Sequence, residues 1–185
     1  MTLDAFRHAP VRFAMGAAIA LALPNAASAQ SAEGLVERHQ RVCVNTAAQP
    51  AAVAGLLDGD EGWRPMFADG GGLVSRISAA DPMDVVMARI VNTRGVIEAI
   101  CSVQRRGGDF ETLKADFEAA TKLKAAPRYS SRTVAVYVAR EADGRLESVE
   151  QPDLNRARRD PSYRIYSLSK MGDDALIVVS APQGG

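Results

Sequence analysis

The sequence predicts an α+β fold: one antiparallel sheet of about five to seven strands with helices packed on one face. Three observations predict it. Apolar residues recur at helical spacing between residues 32 and 57. From residue 73 the apolar period shortens to that of a strand. The alternating segments are then joined mostly by turn-forming residues rather than by helices, which favours hairpins over parallel crossovers.

Taken in order, residues Ala32 to Ala48 place Leu35, His39, Val42, Cys43 and Thr46 on one helical stripe, so Cys43 should look inward. Pro50 suits the first turn of a second helix, Ala51 to Leu57, and Gly59 offers a left-handed residue to stop it. Residues Asp58 to Gly72 read as a structured loop in which Trp63, the single tryptophan, anchors the chain against the core.

Strands are expected at Leu73 to Ser78, Asp84 to Val91 and Val96 to Arg105, the last two joined by a hairpin turn over Asn92-Thr93-Arg94-Gly95. In the third strand Ile97, Ala99, Cys101 and Val103 share one face, while Glu98, Ser102 and Gln104 share the other. Cys101 therefore points to the core. Asp109 is a good N-cap for a helix from Phe110 to Lys124, whose apolar stripe is Phe110, Leu113, Phe117 and Ala120. Strands follow at Thr133 to Ala139 and Leu146 to Glu150 around Asp143-Gly144. A last hairpin, Tyr163 to Ser169 with Ala175 to Ser180, turns at residues 171–174. Pro152 to Pro161 is polar and irregular between them.

Arg7 and Arg12, the uncharged run Phe13 to Leu23, and Ala27-Ser28-Ala29 form the three parts of a cleavable export signal. The run is too short for a membrane span, which needs roughly 20 residues. Cleavage is expected near Ala29-Gln30, giving a periplasmic or secreted single domain over residues 30–185, with no membrane span in the mature form. The whole chain carries 22 basic and 22 acidic residues among its 185. Such balance provides no field for general nucleic-acid binding.

An oxidising compartment makes Cys43 and Cys101 an expected disulfide. It would close a loop of about 59 residues, worth about 4 kcal/mol in the chain-entropy picture. Two buried free thiols are the alternative. A redox-active pair is disfavoured because the two lie far apart in sequence.

Chemistry-bearing patterns are sparse. No metal or cofactor is expected: His39 is the only histidine after the leader, too few ligands for zinc. Asp58, Asp60 and Asp69 fall at calcium-loop positions, but Trp63 occupies the place of the sharp-turning glycine and Pro65 interrupts the loop. No nucleophile elbow and no phosphate-binding loop is present. His39 reads as a packed, hydrogen-bonded helix residue. The arginines Arg156, Arg158, Arg159 and Arg164 are the one local charge feature, suited to anionic groups or a partner surface, although Asp153 and Asp160 flank them.

Cys43 in a first helix, then Gly62-Trp63, then Cys101 followed by Gly107-Gly108-Asp109 and a helix, resembles small uncharacterised exported proteins of proteobacteria. The likeness covers residues 39–123 and implies no activity, cofactor or catalytic residue. The sequence thus favours an exported non-enzymatic domain that binds a protein or an envelope component. Two alternatives stay open: a small periplasmic hydrolase using a carboxylate pair or His39, and a structural or stress-protective envelope factor.

Overall fold

The structure, a computed structural model, describes residues 34–183. The export signal read at residues 1–29 lies outside the described residues. The chain runs through α1 (Leu35–His39), a π-helical turn (Gln40–Val44), α2 (Pro50–Leu57), β1 (Trp63–Pro65), β2 (Leu73–Ser78), β3 (Val85–Thr93) and β4 (Val96–Arg106). It continues with α3 (Phe110–Thr121), a 3-10 turn (Pro127–Tyr129), β5 (Val134–Ala142), β6 (Arg145–Ser148), α4 (Leu154–Ala157), β7 (Tyr163–Met171) and β8 (Asp174–Pro182).

One sheet takes all eight strands, in the order β1-β2-β3-β4-β8-β7-β5-β6, with each neighbour antiparallel. The α+β class is therefore as expected, with one strand beyond the expected five to seven. The extra strand is β1, from the stretch read as a loop. It pairs only Trp63 to Pro65 with Ser78 to Arg76, too short to display alternation, and Pro65 lacks the N–H that a central strand needs.

Strand connections follow turn chemistry. Arg94-Gly95 and Asp143-Gly144 hold positive φ at both residues (55° and 80°, 52° and 73°), the requirement of the tight hairpin turn whose twist matches the strands. The final hairpin β7–β8 inserts between β4 and β5. Cys101 of β4 thus lies opposite Val179 of β8, next to Tyr166 of β7 and then Tyr137 of β5. With Ala88 of β3 these residues form one buried row across the inner face.

Helices α1, α2 and α3 cover that row. Phe117 of α3 meets the rings of Tyr137 and Tyr166 at centroid distances of 4.8 and 5.5 Å. Burying a side chain of this size contributes roughly 2–3 kcal/mol. Asp109 caps α3 by accepting from Thr112 N–H at 2.8 Å, and Lys122, with φ of 60°, ends the helix before the expected Lys124. On the outer face the single turn α4 packs Ala157 with Val138 and Tyr163. Asp153 starts it by accepting from the N–H groups of Asn155 and Arg156.

The first helix departs from the expected regular run. Residues 40–44 widen to π geometry, with Asn45 N–H donating to Gln40 C=O at 3.0 Å. Ala47 and Ala48 then take φ of 51° and 59°, which turns the chain into α2. Cys43 sits in the widened turn and is bonded to Cys101, with the Cα atoms 5.4 Å apart. Gly59 does not take the left-handed position expected of it. Asp58 closes α2 in right-handed geometry instead, and its carboxylate accepts from Arg76 Nε at 2.8 Å.

Candidate anion-binding site

The outer face of β4 carries an acid where burial is least expected. Glu98 is 1% exposed. An isolated buried carboxylate is strongly disfavoured, so it must be paired and hydrogen-bonded. Arg158, the residue that ends α4, reaches across the sheet and donates from Nε to Oε1 and Oε2 at 3.2 and 3.1 Å, and from Nη2 to Oε2 at 2.7 Å. Ser180 of β8 donates its hydroxyl to Oε1 at 2.6 Å. The hydrogen bonds to Glu98 push the Arg158 guanidinium further up from its usual range.

This pairing fixes Arg158 by one edge of its fork. Its Nη1 has no hydrogen-bond partner among the described residues. Beside it lies an open recess of about 420 Å³ lined by Arg94, Val96, Ile97, Arg158, Arg159 and Gln183. Arg94 comes from the tight β3–β4 turn and Arg159 follows Arg158. Gln183 is held in place by Gln49, whose Nε2 donates to its Oε1 at 2.7 Å, and by donating to Ala181 C=O at 3.0 Å. Three arginines and no acid are thus among the residues that line this space.

The four arginines singled out in the sequence separate. Arg158 and Arg159 line the recess. Arg156 is exposed on α4 outside that lining. Arg164 is spent locally, its Nη1 donating to the carbonyls of Pro161 and Tyr163 at 2.6 and 2.8 Å. Arg94, which joins the group, is far from it in sequence. A lone acid inside the apolar run Val96-Ile97-Glu98-Ala99-Ile100 was the available signal of a buried partner.

Elsewhere charge serves the fold. Arg76, 2% exposed on the inner face, donates from Nε to Asp58 at 2.8 Å and from Nη2 to Asp69 at 2.6 Å. Bonding to Arg76 holds the Asp69 carboxyl below the usual range. The acidic stretch therefore neutralises a buried arginine. Asp84 joins Arg38 at 2.7 Å and Arg105 at 3.1 Å, and Arg38 lies 5.1 Å over the Trp63 ring. Trp63 packs half-buried against the core.

His39 is packed in the core with its ring centroid 6.0 Å from that of Tyr166. It differs from expectation in its bonding, because Nε2 has no partner. Burial lowers its pKa to about 3. A second recess, about 920 Å³, lies between α1, α3 and the β5–β6 hairpin, with Val36, Ala120, Leu146 and Tyr166 as apolar walls and Glu37, Asp116 and Arg145 on its rim. A groove of about 1120 Å³ runs between residues 124–129 and 150–155. Lys124 and Glu150 approach within 3.6 Å there and offset each other's charge.

No cluster of three or more metal-ligating side chains occurs among the described residues. None of the helices they form is long and apolar enough to cross a membrane. In comparisons with known proteins, the chain matches no family, no curated protein and no solved structure.

Proposed function

We propose that this chain is an exported, non-enzymatic binding domain that takes up an anionic envelope component, or an acidic protein surface, at the arginine recess. The observation that carries the reading is the excess positive charge that Arg94 and Arg159, beside the Glu98-paired Arg158, place around a recess with no acid on its walls. Arginine forks suit carboxylate and phosphate groups. Anchoring Arg158 on Glu98 removes part of the side-chain freedom that binding would otherwise have to immobilise. The Cys43–Cys101 bond is compatible with work outside the cytoplasm. His39 speaks for binding over hydrolysis: it is 1% exposed and depressed far below neutrality, remote from the properties of a general base.

The test is retention of a purified envelope fraction by the chain recovered after export, run beside hydrolase activity profiling with His39→Ala as control. Salt-sensitive retention is expected. No retention, or turnover abolished by His39→Ala, would overturn the reading.

A further inference from the structure

We infer that the recess formed by Arg94, Arg158 and Arg159 holds a phosphomonoester group. The assignment deepens the binding-domain reading and rests on it. Charge decides the class. Three guanidinium groups bring three positive charges, and Glu98 beneath Arg158 offsets one of them. A net charge near +2 remains on the recess. A phosphomonoester carries about −1.5 to −2 at pH 7. A carboxylate or a phosphodiester, each with a single negative charge, would leave about one arginine unmatched.

Geometry agrees with charge. The arginines come from two separated pieces of chain, the β3–β4 turn and the residues after α4, so a group held in the recess would be contacted from more than one element. That arrangement suits the three oxygens of a phosphate better than the planar pair of a carboxylate. Arg158 offers Nη1 already oriented, since its other edge is bonded to a buried partner. Ile97, 37% exposed, and Val96 line the same space. They supply an apolar wall for the body that carries the phosphate. A volume of about 420 Å³ leaves room for such a body beyond the phosphate itself.

The phosphate could reside on a soluble molecule or on a lipid headgroup, and the experiment separates these. The exported chain is titrated calorimetrically with inorganic phosphate and, separately, with acetate. It is also floated with phosphatidylcholine vesicles containing phosphatidic acid, a monoester, or phosphatidylglycerol, a diester. The test variant is Arg94→Asn with Arg159→Gln. Arg94 sits at φ of 55°, where asparagine is better tolerated than arginine, so loss of binding will not reflect loss of the turn. Arg156→Gln is the control.

Phosphate is expected to bind at least tenfold more tightly than acetate, with at least tenfold loss in the double variant and less than twofold change in the control. Flotation with phosphatidic acid but not phosphatidylglycerol assigns the lipid source. Phosphate binding without flotation assigns the soluble one. Equal binding of acetate, equal binding by the double variant, or no binding of either phosphate source overturns the inference. If envelope retention is lost in the double variant yet persists in saturating phosphate, the class is wrong while the binding-domain reading stands. If retention is also absent, both fall.

Discussion

Arg158 closes over Glu98 through a 2.7 Å contact between Nη2 and Oε2, pinning the residue after α4 to the centre of the outer sheet face. The two are unequal in environment: the Glu98 side chain is 1% exposed and that of Arg158 46%. Removing the arginine would therefore strand a buried charge, whereas removing the acid would free a solvated one.

Arg158→Ala should accordingly destabilise the fold by about 2–3 kcal/mol, less than for a fully buried pair because the guanidinium is half in water. Adding Glu98→Gln should restore most of that loss. Urea denaturation of the single and double variants measures both effects. A double variant no more stable than Arg158→Ala would show that the pair does not act as a unit.

Reduction of Cys43–Cys101 should lower stability by about 4 kcal/mol, an upper figure from chain entropy for a separation of 58 residues. The check is denaturation with and without reductant. Non-reducing mass analysis should find the exported chain two hydrogens lighter than its dithiol form.

Stability should also fall with acid well before the carboxylates titrate. The folded pKa of His39, about 3, lies below the ordinary 6.5. Protons therefore bind the unfolded chain first. The contribution is complete above pH 6.5 and is lost progressively as pH falls toward 3. Between pH 7 and pH 5 the loss should be about 2 kcal/mol. His39→Phe should flatten that slope, as read from melting curves at the two pH values.

Gly108→Ala should destabilise by about 1–3 kcal/mol. A Cβ at this position would stand 2.5 Å from the Cβ of Ala175, a clash that only backbone movement relieves. Ala175→Gly in the same chain should recover part of the loss in thermal unfolding. Unchanged stability of Gly108→Ala would remove close packing as the reason for this glycine.

Ala47→Gly should act in the opposite direction. Ala47 is exposed at φ of 51°, a region that glycine enters without the steric cost a Cβ imposes. A gain of about 0.5–1 kcal/mol is expected from the relieved conformation, measured by denaturant midpoint.

Local chemistry made most elements legible. The strand Leu73–Ser78 coincides with its expectation, because the glycines before it and its strand-type residues act within a few positions. The cap at Asp109 and the turn at Asp143-Gly144 were readable for the same reason. The candidate site was half legible. Arg158 and Arg159 stood out as a basic run, but Arg94 looked like one turn residue among several. Nothing local marked which arginines would be spent on Pro161 or Glu98 and which would face open space.

The α+β class, the hairpin turns, the inward faces of Cys43 and Cys101 and the presence of an arginine-rich loop follow from the order of residues alone. Periodicity, capping and positive-φ turns are short-range effects written into neighbouring residues. The placing of β8 between β4 and β7, which brings Ser180 to Glu98 and Gln183 to the turn that carries Arg94, arises only when the sheet assembles. Strand order depends on the burial of whole faces against one another. Residues 94, 98, 158 and 183 therefore come together only once the sheet is assembled.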